Sequence, residues 1–153
     1  MQHFPPTFIW RHRKENLKKC SLRGLEEDPN FCFFSYPQEE LPNLEGYVLL
    51  SMEGPELSSK DAHHGLLLLD ATWCYAACME RRFLNSPVVR RTVPNHFRTA
   101  YPRRQTECPD PRRGLASVEA LYVAYFLLGR DCQHILDRYF WKEAFLEINN
   151  FRP

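Results

Sequence analysis

A run of four leucines, followed at once by an aspartate, places the strongest constraint on how this chain can fold. The leucines at 66–69 show no apolar–polar alternation, a pattern typical of a strand that is buried on both faces. Asp70 ends the run, and residues 73–83 suit an α-helix. A buried strand that leads into a helix indicates a parallel α/β sheet, in which ligands bind outside the carboxyl ends of the strands. Asp70, Thr72 and Trp73 are therefore candidate ligand-binding residues.

The same three residues also have a purely structural interpretation. Asp70 or Thr72 could cap the helix while Trp73 packs in the core. The periodicity of the sequence favours this structural interpretation when it is taken alone. The choice between the two depends on motifs elsewhere in the chain.

Further strands and two closing helices are predicted from apolar runs and turn-forming residues. Strands are expected at 8–10, 31–36, 46–51 and 96–101, and a loop is expected at 102–114. The first closing helix is predicted to begin with Ser117 as its N-cap and to stop near Gly129. The second is predicted to be capped by Asp131 and to include Leu146.

Length and composition limit the class of protein. The 153 residues are expected to form a single domain, with residues 1–7 as a loose lead-in. The sequence has no signal peptide and no membrane-spanning apolar run, which predicts a cytoplasmic protein without membrane contact. Neither a G-x-G-x-x-G motif nor a Walker loop is present, so a Rossmann dinucleotide site and a P-loop are not supported.

The cysteines and histidines do not indicate a metal site. The six cysteines form no C-x-x-C pair and no zinc-like spacing, and Cys74 and Cys78 alone supply too few ligands. No metal is therefore expected. No catalytic role is expected for the histidines at 63, 64, 96 and 134.

Positive charge is unevenly distributed. Residues 81–113 contain nine arginines and no lysine, against only Glu107 and Asp110. A second basic group at 11–23 includes Arg11. Because arginine binds phosphate in a planar, bidentate geometry, this asymmetry suggests an anionic partner on one face. A solvated, salt-bridged surface is the alternative.

Several short motifs follow one another in a recognisable order. The sequence reads L-D-A-T-W at 69–73 and L-A-S-V-E-A-L at 115–121, with K-C-S at 19–21 and L-S-M at 50–52. Together they resemble the motifs of the aminocarboxypropyltransferases that modify uridines in RNA. That superfamily comprises rRNA enzymes of ribosome biogenesis and DTW-domain enzymes that act on tRNA. The C-terminal residues Phe140, Trp141, Phe145 and Asn149 are similar to the closing helix of the rRNA branch.

The resemblance implies a fold and an activity. The expected fold is a SPOUT-like α/β domain, a parallel sheet flanked by helices, with a C-terminal trefoil knot. The expected cofactor is S-adenosylmethionine (SAM), and the partner is RNA. The reaction would transfer the 3-amino-3-carboxypropyl group of SAM to N3 of a uridine in rRNA and release methylthioadenosine. The oligomeric state is not predicted.

The resemblance also assigns roles to individual residues. Asp70 would accept hydrogen bonds from the α-ammonium group of SAM, and the α-carboxylate would lie at the start of the helix at Ser117. Trp73 would offer an apolar face and a cation–π contact to the sulfonium. Ser21 would contact the ribose, and the adenine pocket would be lined by Leu50, Met52, Leu115 and Ala120. Asp70 is the candidate catalytic residue, either as a general base or, as favoured here, by positioning the donor.

The arginines would supply phosphate contacts to RNA. The candidate RNA-binding residues are Arg90, Arg91, Arg98, Arg103, Arg104, Arg112 and Arg113. Because Y-P-R-R at 101–104 resembles the DTW enzymes, a tRNA-uridine aminocarboxypropyltransferase is one alternative. A SPOUT RNA methyltransferase and a non-catalytic RNA-binding assembly factor are the others.

Overall fold

Five strands and three α-helices, with three single-turn 3-10 helices between them, make up the regular structure of the described chain. The computed structural model describes residues 4–13, 21–71, 73–102 and 114–151. The elements are, in order, β1 (Thr7–His12), β2 (Phe31–Tyr36), β3 (Tyr47–Leu50), β4 (Gly65–Asp70), α1 (Trp73–Glu80), β5 (Val89–Arg91), α2 (Ser117–Leu127) and α3 (Lys142–Ile148). No helix within these ranges is both long and apolar enough to cross a membrane.

The strands form one parallel sheet in the order β2-β1-β4-β3-β5. β4 lies at its centre, paired with β1 on one side and β3 on the other. Leu66 and Leu67 are fully buried and Leu68 is 6% exposed. The prediction of a central strand buried on both faces is therefore confirmed.

Each face of the sheet carries its own core. Leu66 packs in one core with Leu121 of α2, and Leu67 packs in the other with Met79 of α1. Side chains alternate between the two faces along a strand, so Asp70 projects toward the face that α2 covers. This alternation positions the aspartate beside the first turn of α2.

The start of α2 differs from the prediction by one residue. Ala116 is the N-cap and Ser117 is the first helical residue. The Ser117 hydroxyl donates to Asp70, while the Ala116 N–H donates to Glu119 Oε1. The predicted end of the helix is confirmed, because α2 ends at Leu127 and is followed by Gly129 with φ +73°.

The region after α2 contains less helix than predicted. Residues 133–141 form successive turns and α3 begins only at Lys142, so the prediction of a helix capped by Asp131 is wrong. The backbone N–H groups of Ile135 and Tyr139 donate to carbonyls three residues earlier. Both side chains are buried although the backbone forms only turns here, so a run of buried apolar residues does not require a continuous helix.

The predicted strand at 96–101 is absent. The Arg98 N–H donates to Asn149 Oδ1 at 2.7 Å, and Asn149 Nδ2 donates to the Arg98 carbonyl at 2.8 Å. The Ala100 N–H donates to Glu119 Oε2 at 2.8 Å. Side chains from α2 and from the end of α3 therefore bind backbone groups that strand pairing would otherwise use.

Two predicted features involve residues beyond the described ranges. The expected lead-in includes residues 1–3, which lie outside the described residues, and it ends before Thr7, which begins β1 and is buried. The predicted loop at 102–114 consists largely of residues 103–113, which also lie outside them. The C-terminal trefoil knot stays a prediction.

Candidate functional site

A cavity of about 340 Å³ lies at the carboxyl ends of β3, β4 and β5. Parallel strands bring their carboxyl ends to one edge of the sheet, and the residues that follow them form the walls. The cavity is lined by Leu50, Ser51, Met52, Glu53, Leu68, Leu69, Ala71, Ala76, Ala77, Glu80, Thr92, Val93, Pro94, Asn95, Phe97, Gly114, Leu115, Ser117 and Ala120. The set is largely apolar with a few polar groups, as is usual for small-molecule pockets.

Five residues predicted to bind a cofactor line this cavity. Leu50 and Met52 come from the end of β3, and Leu115, Ser117 and Ala120 come from the start of α2. The structure thus brings together residues that lie as much as 70 positions apart in the sequence. Trp73 begins α1, whose residues Ala76, Ala77 and Glu80 line the cavity as well.

Asp70 lies next to the cavity with both carboxylate oxygens hydrogen-bonded. It is 3% exposed. Ser117 Oγ donates to Oδ1 at 2.8 Å, and Arg11 Nε donates to Oδ2 at 3.0 Å. The partner Ser117 itself lines the cavity. The carboxylate is therefore held in one orientation at the junction of β4 and α2, and Arg11 supplies a buried countercharge.

Ser21 lies beside the first turn of α2, although it is far from this helix in the sequence. Its hydroxyl oxygen accepts a hydrogen bond of 3.2 Å from the Val118 N–H, one of the backbone donors that the first helical turn leaves without an intrahelical acceptor. Ser21 is not among the residues that line the cavity. Its hydroxyl therefore stabilises the helix end that carries Ser117, and its predicted contact with a ribose stays a prediction.

Glu119 is a fully buried carboxylate that the sequence analysis left without a role. Four donors surround it: the Thr99 hydroxyl at 2.6 Å, the Ala100 N–H at 2.8 Å, the Ala116 N–H at 2.8 Å and the Tyr139 hydroxyl at 2.9 Å. The bonds join the first turn of α2 to the chain after β5 and to the turns before α3. The signal in the sequence was an acidic residue within an otherwise apolar helix.

The wall formed by residues 93–97 is fixed from the C-terminal end of the chain. Phe97 lines the cavity and stacks on Phe151, with ring centroids 5.7 Å apart and an interplanar angle of 3°. Asn149 binds the backbone of Arg98 on both sides. Asn149, which is part of the resemblance to the closing helix of the rRNA branch, therefore holds this wall in place.

Two acidic residues, Glu53 and Glu80, are the charged side chains among the described cavity-lining residues. Glu53 follows β3 and is exposed, while Glu80 ends α1 and is half-buried. Neither was selected from the sequence, because no local pattern distinguishes them from other surface acids. Their charge makes the cavity more favourable for a cation than for an anion.

The predicted RNA-binding arginines have different environments. Arg90 donates to the Phe83 carbonyl at 3.0 Å, and Arg91 forms an ion pair with Asp61 at 3.4 Å, so both also support the fold. Arg98 is exposed. The remaining four, Arg103, Arg104, Arg112 and Arg113, lie outside the described residues.

Cys74 and Cys78 are exposed on α1. Within the part of the chain that the structure describes, no group of three or more histidine, cysteine or acidic side chains could hold a metal ion. The other free thiols in this part, Cys32 and Cys132, are half-buried, and burial raises the pKa of Cys132.

Comparison with known proteins supports the fold. No protein-family model matches the sequence, and no curated protein matches it either. Among solved structures, the chain is similar to the SAM-dependent rRNA:acp-transferase Tsr3 from Vulcanisaeta distributa, with a TM-score of 0.73 and 21% sequence identity. The similarity covers 97% of this chain and 80% of that chain. At this identity the likeness establishes a shared fold.

Proposed function

We propose that this protein is a SAM-dependent RNA aminocarboxypropyltransferase that modifies N3 of a uridine-type base in rRNA. The observation that carries the proposal is the Asp70–Ser117 pair beside a cavity at the carboxyl edge of the sheet. The shared fold with a SAM-dependent rRNA:acp-transferase supports it. A knotted, SPOUT-like C-terminal half is part of the proposal.

The cavity fits the parts of SAM. Its volume of about 340 Å³ falls in the range of small-ligand pockets. Leu50, Leu115 and Ala120 offer apolar walls for an adenine ring. The polar groups at Asp70 and Ser117 stand at the start of α2, where the amino acid end would bind. The acidic lining residues Glu53 and Glu80 favour the sulfonium cation.

Asp70 and the first turn of α2 would hold the two charged groups of the amino acid. The carboxylate of Asp70 suits the α-ammonium group, because charge-assisted hydrogen bonds are short and strong. The N-terminus of α2 suits the α-carboxylate, because its backbone N–H groups and the helix dipole favour an anion. Ser117 connects the two subsites, since its hydroxyl already bonds Asp70.

Asp70 would act by positioning. When bound, SAM would supply a carbon activated by the neighbouring sulfonium, at which uridine N3 displaces methylthioadenosine. Both carboxylate oxygens of Asp70 already accept hydrogen bonds, from the Arg11 guanidinium and the Ser117 hydroxyl. Asp70 would therefore hold the donor, and the proton of N3 would pass to water. Holding the donor in a reactive orientation would supply most of the rate.

RNA would bind through phosphate contacts near the mouth of the cavity. Arg98 is exposed and follows the cavity-lining Phe97 directly in the chain. The arginines at 103, 104, 112 and 113 belong to the segment that joins this wall to α2. Such contacts would position the RNA and make its affinity depend on salt.

Transfer of label from SAM to RNA tests the proposal. The protein is incubated with total RNA and with SAM labelled either in the carboxyl group or in the methyl group. Carboxyl label in the size fraction that contains rRNA is the expected result. Carboxyl label in the tRNA fraction would indicate the DTW-type activity instead. Methyl label alone would identify a methyltransferase. Absence of both labels from RNA and from purified pre-ribosomal particles would favour a non-catalytic assembly factor.

A further inference from the structure

Arg11 is a largely buried guanidinium that neither the sequence analysis nor the proposed mechanism fully explains. Its side chain is 12% exposed, although it was counted in a basic group expected to face an anionic partner. Arg11 pairs with Asp70 in the register between β1 and β4. The side chain therefore projects to the α2 face of the sheet, together with Asp70.

Among the residues that the structure describes, three neighbours hold the guanidinium of Arg11. Nε donates to Asp70 Oδ2 at 3.0 Å, and Nη1 donates to Glu26 Oε2 at 3.1 Å. The carbon of the guanidinium lies 4.6 Å from the centroid of the Phe33 ring. A planar guanidinium can make these contacts together, because its donors diverge at fixed angles and its face stacks on aromatic rings.

Glu26 is itself held in place. Its Oε1 accepts from the Gly24 N–H at 2.7 Å. Burial alone would raise the pKa of Glu26, but hydrogen bonds from the backbone and from Arg11 outweigh burial and lower it. The carboxylate is therefore charged at neutral pH, and Arg11 lies between two negative groups.

The three side chains together carry one net negative charge. Two carboxylates, Asp70 and Glu26, share one guanidinium. If Arg11 were absent, the two carboxylates would lose the group that holds them apart and orients Asp70 toward Ser117.

We infer that Arg11 is a positioning residue that orients Asp70 to bind the ammonium group of the substrate. The inference rests on the proposed function, in which that substrate is SAM. Arg11 does not touch the ligand in this scheme. It acts through Asp70, and Glu26 and Phe33 hold it in the orientation that does so.

The test compares two ligands that differ at the amino acid end. Methylthioadenosine keeps the adenosine and the methylthio group of SAM, but its sulfur is an uncharged thioether and it lacks the aminocarboxypropyl group with its ammonium and carboxylate. Calorimetric titration of Arg11→Met should show SAM affinity about tenfold weaker than wild type, because a charge-assisted bond loses its orientation. Affinity for methylthioadenosine should stay within about twofold. An equal loss for both ligands would mean a purely structural role and would overturn the inference.

A matched control and two further variants complete the design. Arg138→Met removes an exposed guanidinium that pairs with Glu27 at 3.5 Å, and it should change neither affinity. Arg11→Lys keeps the charge without the guanidinium geometry, and it gives the same contrast if the methionine variant does not fold. In an Asp70→Asn background, Arg11→Lys should have no further effect on SAM affinity.

The failure of the inference and the failure of the proposed function give different results. If the wild-type protein binds no SAM, the proposed function is wrong. If the wild type binds SAM and the Arg11 variants bind it equally well or more tightly, only the role of Arg11 is wrong. An additive effect of Arg11→Lys and Asp70→Asn would also contradict action through Asp70.

Discussion

Asp70 and Glu119 are both buried carboxylates near the first turn of α2, yet their partners are of different kinds. Asp70 is bound by a guanidinium and a hydroxyl, and the hydroxyl belongs to a residue that lines the cavity. Glu119 is bound by two backbone N–H groups and two hydroxyls, all neutral, from three parts of the chain. The two residues thus represent two uses of a buried charge.

The difference between the partners indicates a difference in task. The donors of Glu119 fill both of its oxygens and belong to segments that would otherwise separate, so this carboxylate stabilises the fold. Asp70 joins β4 to α2 at the edge of a cavity, and its partners fix its orientation before any ligand arrives. Substitutions at the two sites should therefore separate stability from ligand binding.

Replacement of Glu119 should have the largest effect. Glu119→Ala removes the acceptor for four donors, of which one backbone N–H belongs to the N-cap of α2 and the other to the chain after β5. The free energy of unfolding should fall by about 4 kcal/mol. Urea denaturation followed by circular dichroism measures it. A loss of less than about 1 kcal/mol would contradict the structural role.

Replacement of Asp70 should change binding more than stability. Asp70→Asn keeps the size of the side chain but removes its charge, so SAM affinity should fall by about 2 kcal/mol, roughly 30-fold. Isothermal titration with SAM measures the change. Unfolding in urea serves as the control, with a loss of stability smaller than that of Glu119→Ala. Wild-type affinity in this variant would remove Asp70 from the ammonium subsite.

Removal of the Ser117 hydroxyl, which donates to Asp70, should weaken SAM binding moderately. Ser117→Ala removes the donor to Oδ1 and should lower SAM affinity about fivefold, or ~1 kcal/mol. The loss arises because Asp70 is less well oriented and because the carboxylate subsite loses a polar group. An unchanged SAM affinity, together with a loss of stability as large as that of Glu119→Ala, would contradict this role of Ser117.

Removal of the Tyr139 hydroxyl, which donates to Glu119, should lower stability and leave SAM binding unchanged. Tyr139→Phe removes a 2.9 Å bond and should lower the free energy of unfolding by about 1 kcal/mol. SAM affinity measured under native conditions should equal that of the wild type. A fivefold loss of SAM affinity would mean that the two carboxylates do not have separate tasks.

The smallest expected effect is on RNA binding and involves neither Asp70 nor Glu119. Arg98→Ala should reduce the dependence of log affinity on log salt concentration by about one unit, because one phosphate contact is lost. Tyr139→Phe should leave this slope unchanged. Fluorescence anisotropy with labelled RNA at several salt concentrations measures both, and an unchanged slope for Arg98→Ala would remove this residue from the RNA surface.

The sequence predicts local features of this molecule well. The leucine run determines β4, because a stretch that is apolar throughout must be buried on both faces of a sheet. The aromatic run at 31–36, which is followed by Pro37, determines β2, an edge strand whose side chains are only partly buried. The start of α2 is predicted to within one residue, and its first helical residue, Ser117, donates a hydrogen bond to Asp70. These features depend on short stretches of chain.

Contacts between distant residues could not be predicted in the same way. Arg11 faces inward because β1 pairs with β4, and the ion pair joins residues 59 positions apart. Glu119 binds Thr99, Ala100 and Tyr139 only because three segments meet at the first turn of α2. Neither partner set leaves a local pattern. The same contacts explain why residues 96–101 do not form a strand.

A structure of the protein with SAM bound tests the central claim most directly. The account predicts the α-ammonium group within about 3 Å of an Asp70 carboxylate oxygen, with the α-carboxylate at the first turn of α2. Glu119 should keep its four neutral donors. The account would be contradicted if the amino acid end of SAM lay away from Asp70, beside Glu53 or Glu80, with the adenosine at the start of α2.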